Sequence, residues 1–203
     1  MSARTRLRSA ARYLPNLLTG LRLLAVPVLT ALATSRLETA YAWLLIAALL
    51  TDVADGWVAR AWALESRIGA QLDSLADSAL MIVAIYGIWA FHREVMTGNP
   101  VSCSLAIGLW ALENLLALLR YGRLSSFHTY LSKLAANVLG VFVGILFVFG
   151  FEPWLFYVAI GATILASVEE LALLAVLGEW RADVQGLWWV LRNSRSRRGS
   201  ERG

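Results

Sequence analysis

Four aspartates, Asp52, Asp55, Asp73 and Asp77, interrupt a chain that is strongly apolar on either side of them. Asp52 and Asp55 are three residues apart and Asp73 and Asp77 four apart, so on helices each pair shares one face. If the two helices pack as an antiparallel hairpin, four carboxylates converge on one spot. Uncompensated, they repel one another, and a charged residue deep in a bilayer costs about 2.5–3.5 kcal/mol on insertion scales. Divalent cations resolve both problems. Hard oxygen donors favour Mg²⁺, Mn²⁺ or Ca²⁺, and no His or Cys is placed to recruit zinc. Four Asp suffice for two such ions, the arrangement that clamps attacking and leaving oxygens in phosphoryl chemistry.

Small residues accompany the acids. Gly56, Ala59 and Gly69 allow a ligand or a neighbouring helix to approach the backbone closely. Arg60 lies one turn after Gly56, where a guanidinium is suited to a phosphate. Helix packing alone accounts for either glycine singly; it does not account for four acids in register.

These residues need elements to carry them. Of 203 residues, 59% are hydrophobic and only 16% charged, with a mean hydropathy of +0.63, a balance that excludes an ordinary soluble domain. A spanning helix takes about 20 mostly apolar residues. Six such segments are predicted: 17–34, 40–62, 70–91, 101–121, 131–150 and 153–178. Their length and lack of period-2 alternation make them helices, not barrel strands. The fold class is therefore an all-α integral membrane protein. One domain is expected, comprising a basic surface segment over 1–14, a six-helix bundle over 15–180 and a basic tail over 181–203. The start "MSARTRLRSAARYLP" competes as a signal peptide, but lacks a persuasive cleavage site and reads better as an amphipathic juxtamembrane helix. Both Asp pairs fall at segment ends flanking the polar bend "RAWALESRIG".

Charge sets the orientation. Arginines before the first span, Arg60 and Arg67 between the second and third, Arg120, Arg123 and Lys133 around the fourth connection, and the Arg-rich tail outweigh Arg36 and Arg93 on the other side. By the positive-inside rule both termini and the Asp cluster face the cytoplasm. The tail "RNSRSRRGSERG" suits anionic headgroups, and no nucleic-acid partner is expected. Cys103 is alone and reads as a packing residue.

The run Asp52, Asp55-Gly56, Ala59-Arg60, Gly69, Asp73, Asp77 resembles the complete signature of the CDP-alcohol phosphatidyltransferase family, eight specified positions over 26 residues. "LPNLLTGLRLLAVPV" is similar to the amino-terminal segment of the family's glycerophosphate and cardiolipin-type members, and "SVEEL" at Ser167–Leu171 to a late-helix segment in them. The resemblance implies transfer of a phosphatidyl group from CDP-diacylglycerol to an alcohol with release of CMP. It implies Asp52, Asp55, Asp73 and Asp77 as ligands of two Mg²⁺ or Mn²⁺ ions, with Asp77 also the general base. Gly56, Ala59 and Arg60 would bind the CDP moiety and Gly69 permit its approach. A homodimer in a bacterial-type cytoplasmic membrane is implied as well.

For the acceptor, "RYGRLSSFHTYLSK" places Arg120, Arg123, His128 and Lys133 on the same predicted face. Such a cluster suits an anionic acceptor such as glycerol 3-phosphate, inositol phosphate or the headgroup of phosphatidylglycerol; positive-inside anchoring is the plainer alternative. Glu113-Asn114 and Glu169-Glu170 either line the acceptor cavity or hydrogen bond between helices. Trp43, Trp89, Trp154 and Trp188 are expected at the membrane interfaces. The competing function is a six-helix carrier using the Asp cluster as a divalent-ion site, which belongs near the midplane, not at one face.

Overall fold

The computed structural model describes residues 14–62, 67–124, 129–176, 184 and 186–190, with the side chains of 14–16, 52–62 and 67–70 outside that description. The described elements are helices: α1 (Leu14–Thr34), α2 (Glu38–Trp62), α3 (Arg67–Phe91), the short α4 (Arg93–Gly98), α5 (Pro100–Tyr121), α6 (Tyr130–Phe149) and α7 (Pro153–Val176). Six fall on the six predicted segments, within about three residues at each end, since apolar run length decides both. The connection between the third and fourth predicted segments, "HREVMTGNP", contains α4. Five of the helices, α1, α3, α5, α6 and α7, are long and apolar enough to cross a membrane; in α2 the described apolar stretch is the shorter Glu38–Thr51. The predicted surface helix over 1–14 lies outside the described residues apart from Leu14, where α1 begins.

The outward faces are those of an integral membrane protein. On α1, Leu17, Leu21, Leu24 and Val28 recur at helical spacing and are all exposed, while Arg22, Leu29 and Ala33 are buried. An apolar stripe of that length in water would be a standing liability; against lipid tails it is the ordinary surface. Hydroxyls inside the helices are kept from lipid by bonding backwards: Thr30 to Val26 O (2.9 Å), Thr34 to Thr30 O (3.0 Å) and Thr163 to Ala159 O (2.9 Å). Trp43, Trp89, Trp154 and Trp188 are exposed, as an aromatic belt requires.

By internal contacts the chain divides into two compact units, Met1–Gly98 with Val143–Gly150, and Asn99–Phe142 with Phe151–Gly203. In the first, α1 packs along both α2 and α3, whereas α2 and α3 touch each other little among the described residues. The hairpin envisaged from sequence thus has a third helix against both its arms. Tyr41 anchors this unit. Its hydroxyl donates to the Val83 carbonyl at 2.7 Å, and its ring lies 5.3 Å from those of Phe91 and Phe147. One turn beyond Val83, Gly87 leaves the room: a Cβ there would run into the Tyr41 ring and hydroxyl. At the carboxyl end of α3, Arg36 donates to the Ala90 carbonyl, a cation meeting the negative pole of a helix.

In the second unit α5 packs on α7 around Ala117, Leu173 and Leu174, with Val184, Leu187 and Val190 folded back against them. Pro100 and Pro153 open α5 and α7, where a missing N–H costs nothing. Thr129 caps α6, its hydroxyl accepting from the Ser132 N–H at 3.1 Å.

Candidate active site

Helix α3 runs further towards its amino end than the sequence suggests, starting at Arg67, so Gly69 lies in its first turn and Asp73 and Asp77 in the next two. Asp52, Asp55, Gly56, Ala59 and Arg60 occupy the last three turns of α2. The side chains of these five and of Gly69 fall outside the described residues, so the part of the signature with described side chains is Asp73 and Asp77. One helical turn separates the two, and their side chains are 36% and 37% exposed. They are half-buried and reachable from outside the packed core.

What they meet inside is a cation from another helix. Arg22 of α1 donates through Nη1 to Asp77 Oδ1 and, at 3.5 Å, through Nη2 to Asp73 Oδ1. Its side chain is 0% exposed. Arg22 heads the fully buried side chains by volume, and Thr19, one turn before it on α1, is buried as well. The placement follows from the packing of α1 on α3: the apolar stripe of α1 faces lipid, which turns Arg22 towards the acids. A buried charge is tolerable only when paired and hydrogen bonded. Two acids a turn apart repel, and one guanidinium spanning both relieves them.

The donor set fits a divalent cation. Two Asp carboxylates on one face, solvent-accessible and without a nearby thiol or imidazole ligand among the described residues, are hard oxygen donors of the kind that hold Mg²⁺ or Mn²⁺. By themselves they do not make a metal cluster: the described residues hold no group of three or more His, Cys, Asp or Glu able to bind an ion.

In the second unit, Arg120 donates to the Leu174 carbonyl in the last turn of α7 and lies 5.4 Å from the Tyr121 ring centre. It is engaged with the helix end and an aromatic face. Arg123 and Lys133 are half-buried, on either side of the stretch 125–128; His128 belongs to that stretch and is outside the described residues. Glu169 bridges this region, its Oε2 accepting from the Thr129 hydroxyl at 2.8 Å and its Oε1 from the Leu187 N–H at 3.1 Å. Glu113 is buried, hydrogen bonded to Ser167 and neighboured by Glu170. Of the two readings of these intramembrane polar residues, Glu169 and Glu113 follow the interhelical one. Asn114 serves its own helix, donating to the Trp110 carbonyl at 2.9 Å.

Arg22 is the residue that reading the sequence for site chemistry overlooks, although the signal is present. An arginine within an apolar span is costly, and its default reading is functional. The acids draw attention by their spacing; Arg22 has none, because its partners are 55 and 51 residues away in sequence.

Comparison with known proteins bears on the whole arrangement. The model of the CDP-alcohol phosphatidyltransferase family matches residues 12–168. Over 76 residues, 36% of this chain, the sequence is 41% identical to a CDP-diacylglycerol–glycerol-3-phosphate 3-phosphatidyltransferase of Cereibacter sphaeroides, covering 34% of that protein. Over 75 residues, 37% of this chain, it is 43% identical to a cardiolipin synthase (CMP-forming) / mitochondrial hydrolase fusion protein of Schizosaccharomyces pombe, covering 13% of it. The chain thus aligns with about a third of the first relative and a much smaller part of the second. No solved structure gives a significant match.

Proposed function

The chain belongs to the CDP-alcohol phosphatidyltransferase family, and on that premise we propose that it transfers a phosphatidyl group from CDP-diacylglycerol to an alcohol, releasing CMP. The observation that carries this reading is the convergence of Asp73 and Asp77, the last two acids of the signature, on one face of α3 opposite a buried cation. A lipid-embedded protein has little use for such an assembly except to handle charge at the membrane face. A carrier using the same acids as an ion site finds no support in the relatives, both of which are named for lipid-forming activities.

Members of the family generally depend on a divalent metal. Asp73 and Asp77, with Asp52 and Asp55 from α2, would hold two Mg²⁺ or Mn²⁺ ions, which when bound neutralise the charge of the pyrophosphate. Gly56, Ala59 and Arg60 bind the CDP moiety and Gly69 lets it approach the α3 backbone. Asp77 accepts the proton of the acceptor hydroxyl. The lone pair of that oxygen forms a bond to the phosphorus bearing diacylglycerol, and the bond from this phosphorus to the bridging oxygen breaks with its electrons leaving on CMP. The acyl chains stay in the bilayer throughout, so the phosphorus presents itself at a fixed depth.

The acceptor in this reading is anionic: glycerol 3-phosphate, inositol phosphate or phosphatidylglycerol. Arg123 and Lys133 are its recognition residues, with His128 and Arg120 beside them in sequence. The relative from Cereibacter sphaeroides carries glycerol 3-phosphate in its name, which favours that member of the class. The site faces the cytoplasm of a bacterial-type inner membrane, and the protein works as a homodimer of single catalytic domains.

Purified protein in detergent, given radiolabelled CDP-diacylglycerol and a panel of acceptors, tests the proposal. CMP release that requires both an acceptor and Mg²⁺ or Mn²⁺ is expected. Release undiminished by excess chelator, or none with any alcohol, would overturn it.

A further inference from the structure

We propose that Arg22 is the internal counter-cation of the acidic site, exchanging with a divalent metal for the carboxylates of Asp73 and Asp77. The inference rests on the reading above that these acids take a metal. It goes beyond that reading by assigning a role to a residue outside the signature.

The geometry is that of a tethered stand-in for an ion. One guanidinium reaches Oδ1 of both acids, through Nη1 and Nη2. Arg22 is fully enclosed, while each acid keeps more than a third of its side chain exposed. The cation therefore comes from the protein side and leaves the outer side of the carboxylates to whatever arrives from the aqueous phase. One guanidinium does not cancel two carboxylates, and Asp52 and Asp55 at the end of α2 add to the acidic side in the reading above, so the assembly is eased but still attracts a cation.

Two functions of an arginine here have opposite signatures. A guanidinium that only orients the carboxylates strengthens metal binding, since loss of such a supporting partner costs about 10- to 100-fold in affinity. A guanidinium that stands in for the metal weakens it, because the positive charge must be displaced or tolerated at close range. At the effective dielectric of protein sites, a unit charge about 6 Å from a divalent ion changes affinity by up to roughly 10⁴-fold, and solvent screening at carboxylates more than a third exposed brings this down to roughly 10- to 100-fold. Full burial of the guanidinium and its two-point contact with both carboxylates favour the second. The acids are then compensated before any metal is bound, and the fold does not depend on the ion.

The test is Mn²⁺ binding to the full chain in detergent, followed by the electron paramagnetic resonance signal of free Mn²⁺, together with melting temperature with and without the ion. Arg22→Gln keeps hydrogen-bonding capacity and removes the charge. It is expected to bind Mn²⁺ roughly 10- to 100-fold more tightly than the wild type. Without metal it melts lower than the wild type, and saturating Mn²⁺ narrows the gap. Arg22→Lys keeps the charge without the fork, and its affinity stays within about threefold of the wild type on the same electrostatic ground. If Arg22→Gln does not survive purification without metal, it is prepared in Mn²⁺ and titrated with chelator, which reads the same affinity. Equal or weaker binding in Arg22→Gln, or a melting gap that Mn²⁺ leaves unchanged, overturns the proposal and leaves Arg22 as an orienting or purely structural residue. If the wild type itself binds no Mn²⁺, it is the metal reading of the acids that has failed.

Discussion

At the scale of single residues, removing charge from the acids separates chemistry from folding. Asp73→Asn and Asp77→Asn keep size and hydrogen-bonding reach, and each still offers Arg22 an amide oxygen. Both variants should remain folded in detergent while CMP release falls by about 10²- to 10⁴-fold, the range expected for loss of a positioned base or its equivalent. A comparison of turnover with size-exclusion behaviour reads both at once, and retained turnover in either variant would detach the acids from the reaction. The acceptor residues should separate differently. Lys133→Ala and Arg123→Ala remove charge-assisted bonds worth about 1.5–3 kcal/mol each, so the acceptor KM should rise roughly 10- to 100-fold while that for CDP-diacylglycerol holds. Unchanged acceptor kinetics in both would point to an uncharged alcohol. Arg120 is a poorer candidate for that contact, since its guanidinium is already committed to the Leu174 carbonyl.

At the scale of elements, two contacts hold helices where the site needs them. Gly87→Ala pushes a methyl into the Tyr41 ring and should cost about 1–3 kcal/mol, as overpacking in a tight core does; a thermal melt in detergent reports it, and no loss would mean that α2 and α3 yield easily. Glu169 ties the cap of α6 to the segment following α7, and Gly186, with φ 146°, brings that segment within reach of its carboxylate. Glu169→Ala leaves the Thr129 hydroxyl and Leu187 N–H without this acceptor, at about 1–3 kcal/mol for buried groups. The expected result is faster proteolysis after Val176 and a change in Trp188 and Trp189 fluorescence, with Glu169→Gln milder. The helices themselves were legible in the sequence because each is specified by its own run of apolar residues. The signature was legible too, being local to α2 and α3. Packing of α1 against both was not, since nothing in an apolar stripe names its partner. For the same reason the pairings of Arg22 with Asp77 and of Glu169 with Thr129, 55 and 40 residues apart, left no mark in local spacing, although Glu169 itself stands out as an acid within an apolar span.

At the scale of the molecule, orientation is open to direct labelling. Cys103 is buried and makes a poor reporter. Glu94 in α4, whose side chain is 72% exposed, is a better position. In a Cys103→Ser background, Glu94→Cys should react with an impermeant thiol reagent on intact cells; reaction only after the inner face is opened would invert the assigned topology. Arg22 bears on the molecule in one further way, through the order in which the chain is made. Its partner Asp77 follows it by 55 residues. At roughly 5–20 residues per second, synthesis needs about 3 to 11 seconds to supply that acid. During that interval α1 has yet to meet the acids of α3, and an arginine within an apolar segment weakens its insertion, by about 2.5–3.5 kcal/mol at the bilayer centre and less towards the face. The first helix is therefore expected to sit less firmly in the membrane until the third brings its acids, so that its integration leans on a helix made later.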